Sequence, residues 1–195
     1  ALRRGDHESK AAQGWAFCMS TDFDVIIVGG GPVGLLLACL LKKLGLRLRV
    51  LEKRTQPIAH SAAIGVTPPS LQILKKLGLT EEFINSGLKV RDCFVHGQSG
   101  KLGCMSFRDI PDEHPFILAL PQVTTIAILQ KHLGAEWIET GCEVSEVQQH
   151  AGHCVVRAGR REWTARHVIA CDGWRSPVRQ WIGMKAPART YDLHF

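Results

Sequence analysis

Apolar and polar positions change period several times along this chain. Residues 24–28, DVIIV, are a short apolar, β-branched run, the pattern of a strand buried on both faces of a parallel sheet. Gly29-Gly30-Gly31-Pro32-Val33-Gly34 follows, and residues 35–44 have helix-forming composition closed by Gly45. Residues 47–51 read as a second strand ending on Glu52, which completes a βαβ unit. Beyond it, residues 64–67 read as a short extended run. Pro68 and Pro69 open a helix that shows Leu71, Leu74 and Leu77 before Gly78. Residues 94–107 read as a hairpin turning at 97–100. Residues 117–122 are a strand leading into a helix over 124–133. A meander of three short strands is expected at 143–149, 154–158 and 162–165, with turns at Ala151-Gly152 and Gly159-Arg160. Residues 167–171 are read as a separate buried strand that ends on Asp172-Gly173.

The glycine spacing has a physical meaning. Gly29 permits a tight turn out of the strand, Gly31 lets the backbone approach a pyrophosphate, and Gly34 lets the helix pack closely on the strand. The helix start, with Pro32 and Val33, aims unpaired N–H groups at the phosphates. Glu52, 18 residues after Gly34, stands where a carboxylate would accept the hydroxyls of an adenosine ribose. The bland alternative is a glycine-rich turn in an unrelated α/β protein. FAD and NAD both suit this unit taken alone.

Composition narrows the class. In 195 residues, 45% are hydrophobic and 22% charged, which excludes collagen, low-complexity disorder and small disulfide scaffolds. The apolar stretch at 24–41 is broken by glycines and a proline, so it does not read as a membrane span. The net charge of +6 is uneven: residues 157–189 carry eight Lys and Arg against Glu162 and Asp172. Such an excess fits nucleic acid, a membrane surface or an anionic cofactor, and the absence of a nucleic-acid motif counts against the first. Seven scattered cysteines, with no CxxC pair and no HExxH, read as reduced, mostly buried thiols of a cytoplasmic protein with no metal site. Residues 1–18 read as a leader or tag, with Met19 as the natural start.

The hairpin and meander interrupt the strand–helix alternation of an NAD dehydrogenase. This is the layout of two-domain flavoproteins, an α/β glutathione-reductase-like FAD-binding fold of Rossmann type. The chain resembles the N-terminal half of the single-component FAD-dependent aromatic hydroxylases, the para-hydroxybenzoate hydroxylase and phenol hydroxylase group. Four stretches carry the resemblance: DVIIVGGGPVG with LEKR, AAIGVTPPSLQILKKLGL, LPQVTTIAIL, and residues 167–183 around DGWRSPVRQWIG. It implies a FAD site built from Gly29, Gly31, Pro32, Val33 and Gly34, from Glu52 with Lys53 and Arg54, from Gln122 near the ribityl chain, and from Asp172, Gly173 and Arg179. In the family, Asp172 and its neighbours would contact both FAD and the pyrophosphate of the nicotinamide nucleotide. The plainer roles are helix caps for Asp172 and Gln122, and a solvated helix position for Arg179.

Two departures stand out. Relatives place an arginine in the loop where this chain has His60-Ser61-Ala62-Ala63, which leaves His60 and Arg54 as substitutes. The family's third motif, Gly-Asp before a helix, has no counterpart; Gly5-Asp6 precedes the first strand. The expectation is therefore an N-terminal part, residues 19–195, with 90–120 beginning an incomplete substrate domain. The implied reaction uses NADH or NADPH to reduce the flavin, O2 to form a C4a-hydroperoxide, and a phenolic ring as oxygen acceptor; no catalytic side chain is named. The partners implied are a small aromatic substrate and O2, with neither nucleic acid nor a transmembrane segment. The full-length protein is compatible with a homodimer. A prenyl reductase, a halogenase or a non-catalytic fragment are the alternative readings.

Overall fold

The computed structural model describes residues 21–56, 64–187 and 189. The first half runs β1 (Phe23–Val28), α1 (Pro32–Lys43), β2 (Leu48–Glu52), β3 (Gly65–Val66), α2 (Pro68–Lys75), α3 (Thr80–Ser86), β4 (Leu88–Val90), β5 (Asp92–Gly97) and β6 (Gly100–Ser106). Then come β7 (Ile117–Ala119), α4 (Gln122–Leu133), a 3-10 turn (Ala135–Trp137), β8 (Ile138–Thr140), β9 (Glu146–His150), β10 (His153–Ala158), β11 (Arg161–Ala170) and α5 (Pro177–Trp181). The class is α/β with a mixed main sheet.

The main sheet has the order β8-β2-β1-β11-β10-β9. β1 lies parallel to β2 on one side and to β11 on the other. Its side chains alternate between two cores, as a doubly covered strand requires. Val25 and Ile27 enter a core with Leu35, Ala38, Val50, Leu118 and Leu129, whereas Ile26 and Val28 enter one with Leu51, Val156, Ala165 and Val178. Asp24 and Arg47 form an ion pair at 3.1 Å where β1 and β2 begin.

Several expectations are corrected. The third meander strand and the strand at 167–171 are one ten-residue strand, β11. Ala165 is the pivot, paired antiparallel with Cys154 of β10 and parallel with Phe23 of β1. Arg166, which falls between the two expected strands, is an exposed residue of β11. The 167–171 segment is also less buried than read, with His167 and Ala170 exposed. α3 and β8 escaped the sequence reading because each is too short for a period to show, and β8 is a strand only through its pairing with β2. Gln122 opens α4, so this helix begins two residues before the reading placed it.

The described thiols are not mostly buried. Among the described cysteines, Cys39 and Cys142 are buried, Cys154 and Cys171 half-buried, and Cys93 and Cys104 exposed. The last two lie on the β5–β6 ribbon, a two-stranded sheet that also exposes Phe94, Val95, Leu102 and Met105. Cys18, Met19 and the 60–63 loop lie outside the described residues. Among the described residues, no helix is long and apolar enough to cross a membrane.

Candidate functional site

The loop after β1 is shaped by three glycines with different constraints. Gly29 has φ +109°, and a Cβ there would stand 2.3 Å from the Cys171 carbonyl oxygen. A Cβ on Gly34 would meet the Gly29 carbonyl oxygen at 2.0 Å. Gly31 faces open space, with no atom within 4 Å of its Cβ position. The backbone is thus compressed at positions 29 and 34, and free to be approached at 31.

α1 starts immediately after Gly31 with Pro32 at its first position, and its first turn holds no acidic side chain. The helix thus places no carboxylate of its own at its positive end, while Lys42 and Lys43 balance the other end. Val33, in the first turn, is strongly exposed.

Glu52 at the end of β2 reaches the same loop. Its Oε2 accepts the Gly30 N–H at 2.6 Å, and its Oε1 accepts the Arg54 N–H at 2.9 Å and the Arg54 guanidinium at 3.5 Å. Gly30 was absent from the residues singled out by sequence, yet a Cβ there would lie 2.9 Å from that of Glu52. The signal was the middle glycine of the run Gly29-Gly30-Gly31, which the dinucleotide spacing does not require. Lys53 is exposed beside this pair.

Gln122 is brought in by helix packing. Cys39 Sγ donates to the Leu129 carbonyl and Lys42 Nζ to the Leu133 carbonyl, so α1 and α4 run in the same direction. Pro32 and Gln122 each stand seven residues before the first of these contacts. Both helices therefore begin at the same level, at the end of the sheet where β1 delivers the glycine loop. α4 also has no acidic residue in its first turn.

Asp172 and Gly173 close the fourth side. The Asp172 amide nitrogen lies 3.0 Å from where a Gly29 Cβ would be, which joins the two motifs directly. The N-cap of α5 is Ser176, whose Oγ accepts the Arg179 N–H at 3.0 Å, and not Asp172; from four residues earlier, Asp172 Oδ2 accepts a second first-turn N–H, that of Val178, at 3.2 Å. Arg179 is more than a solvated residue: its guanidinium donates to the Trp174 carbonyl at 2.7 Å and pins the turn in which Gly173 has φ +89°.

The comparisons agree with this geometry. A family model described as FAD binding domain matches residues 22–195. The chain belongs to the FAD binding domain family. Rifampicin monooxygenase of Streptomyces venezuelae is 39% identical over 168 residues, covering 85% of this chain and 35% of that protein. Para-nitrophenol 4-monooxygenase of a Pseudomonas species is 30% identical, covering 89% of this chain and 46% of that protein. Among solved structures, p-nitrophenol 4-monooxygenase from Pseudomonas putida superposes with a TM-score of 0.75 at 29% identity, over 82% of this chain and 43% of that one. The chain thus spans less than half the length of these relatives.

The residues of this FAD binding domain fit the cofactor. The open face of Gly31 and the acid-free start of α1 suit a pyrophosphate. The Glu52 carboxylate stands one hydrogen bond from that loop, within the reach expected of an adenosine ribose partner.

Proposed function

We propose that this chain is the FAD-binding part of an NAD(P)H-dependent monooxygenase that hydroxylates an aromatic, phenolic substrate, in a glutathione-reductase-like arrangement. The observation that carries the reading is the contact of the glycine loop with the Asp172-Gly173 turn at Gly29, which brings two distant motifs to one end of the sheet. The named relatives, monooxygenases of rifampicin and para-nitrophenol, support the reaction class. FAD, when bound, supplies the electron-transfer and oxygen-activating chemistry. In this reading Gly31 and the α1 start hold the pyrophosphate, Glu52 accepts ribose hydroxyls, and Gln122 orients the ribityl chain. Asp172, Gly173 and Arg179 line the approach of the nicotinamide nucleotide. The β5–β6 ribbon begins a substrate domain, whose further residues would position the ring and exclude water.

The test is binding and turnover by the 195-residue chain. Titration with FAD should quench flavin fluorescence to saturation. With NADH or NADPH and simple phenols, the loaded chain should oxidise the nicotinamide and release H2O2 without hydroxylated product, because Val33 and Trp174 leave the site open to water. Absence of FAD binding by the folded chain would overturn the reading. Coupled hydroxylation would show that a complete substrate site already lies within these residues.

A further inference from the structure

Glu52 and Arg54 answer the same chemical question in opposite ways. At the end of the second strand of a dinucleotide fold, a carboxylate accepts the hydroxyls of an unphosphorylated adenosine ribose, whereas an arginine accommodates a 2′-phosphate. This chain carries both, two residues apart, and pairs them with each other. Glu52 Oε1 holds the Arg54 N–H at 2.9 Å and its guanidinium at 3.5 Å, while Oε2 holds the Gly30 N–H at 2.6 Å. The backbone around them is fixed. The Glu52 carbonyl accepts the Cys142 N–H at 2.9 Å, and the Arg54 carbonyl accepts the Gly141 N–H at 3.2 Å. The carboxylate is largely sheltered, with its side chain 13% exposed, whereas the Arg54 side chain is 49% exposed and has room to turn outward.

We propose that Arg54 is a specificity determinant of the adenosine subsite. Paired with Glu52, it orients the carboxylate for a ribose diol and is itself withheld from phosphate. Once the Glu52 charge is removed, the freed guanidinium becomes a ligand for a 2′-phosphate at the same subsite. The chemistry follows from the pair. A 2′-phosphate brought to the native subsite meets a like charge whose neutralising partner is already engaged. With that charge gone, a planar guanidinium can meet phosphate oxygens through two parallel hydrogen bonds. The inference rests on the reading of the glycine loop as a dinucleotide site.

The test compares ADP-ribose with 2′-phospho-ADP-ribose, two ligands that differ only in the phosphate, by calorimetric titration of the 195-residue chain. The native protein should bind ADP-ribose at least tenfold tighter. Glu52→Gln keeps an oxygen for the Gly30 N–H and removes the charge, and it should shift the affinity ratio at least tenfold toward the 2′-phosphorylated ligand. Glu52→Gln with Arg54→Met should abolish that gain. Arg54→Met alone should widen the native preference, because the carboxylate then faces the phosphate unneutralised. An unchanged ratio in Glu52→Gln, a gain that survives loss of Arg54, or an unmoved ratio in Arg54→Met would each overturn the proposal. If the folded native chain binds neither ligand, the dinucleotide reading itself fails and takes this one with it.

Discussion

Gly34 lies directly beneath Gly29: a side chain at 34 would place its Cβ 2.0 Å from the Gly29 carbonyl oxygen. Gly29 in turn presses on the Cys171 carbonyl at the end of β11, so helix, loop and strand end are stacked backbone on backbone. Gly31, two residues beyond Gly29, has open space instead and an ordinary φ of −74°.

The two kinds of glycine should separate cleanly on substitution. Gly34→Ala forces the helix off the loop and should cost about 1–3 kcal/mol or more, the range for overpacking. Gly31→Val meets no protein atom, and as a poorer N-cap for α1 it should cost no more than about 1 kcal/mol of stability. It should nonetheless lower FAD affinity at least tenfold, about 1.4 kcal/mol, by filling the face the pyrophosphate needs. Urea midpoints and flavin titrations read the two effects separately. Normal FAD affinity in Gly31→Val would remove this loop as the phosphate site.

Thiol reactivity should follow the corrected burial pattern. Cys93 and Cys104 on the β5–β6 ribbon should alkylate readily in the folded protein. Burial pushes the Cys39 thiol up to about 11, and burial likewise raises that of Cys142. At pH 8 only roughly one Cys39 in a thousand would be thiolate, the reactive form. Timed iodoacetamide labelling followed by peptide mass analysis checks this, and alkylation of Cys39 as fast as Cys93 would contradict the packing of α1 against α4.

Acid should weaken the fold partly through Asp24. The hydrogen-bonded Arg47 side chain, aided by the Arg47 backbone N–H, holds the Asp24 carboxyl below its ordinary 3.8. A folded-state value below the unfolded one gives stability that is present above about pH 4 and lost as pH falls through the folded value. Asp24→Asn should therefore narrow its gap from the native thermal midpoint as pH drops from 6 to 3. A gap of constant size across that range would assign the pair no acid-dependent role.

The βαβ unit was legible because each piece carried a local mark: an unbroken β-branched run, spaced glycines, and an acid at the next strand end. The hairpin turn at 97–100 was legible for the same reason. What stayed hidden depends on pairing between distant residues. No local pattern says that Ala165 is shared by Cys154 and Phe23, so β11 was read as two strands. The burial of Leu118 and Leu120 likewise arises from elements apart in sequence, with Leu71 and Leu74 of α2, Phe83 of α3 and Leu129 of α4 in the same core. Glu52 was legible as a candidate ribose partner, but its hold on Gly30 was not, because the spacing rule speaks of ligand and not of the loop's own support.

β11 also sets a clock. The glycine loop leaves the ribosome early, yet the strand that backs it lies far downstream; Asp22 before β1 bonds to Thr164 of β11 across 142 positions. At ~5–20 residues added per second, roughly 7–30 s of synthesis separate the two halves. Contacts this distant in sequence also fold slowly, since chain closure precedes any reward from pairing. During that interval β1 has only β2 as a strand partner, and the edge destined for β11 is an unpaired row of backbone donors and acceptors. The nascent chain is thus most exposed to wrong strand pairing just before the Asp172 turn is made, and a chaperone that shields strand edges would act in that window.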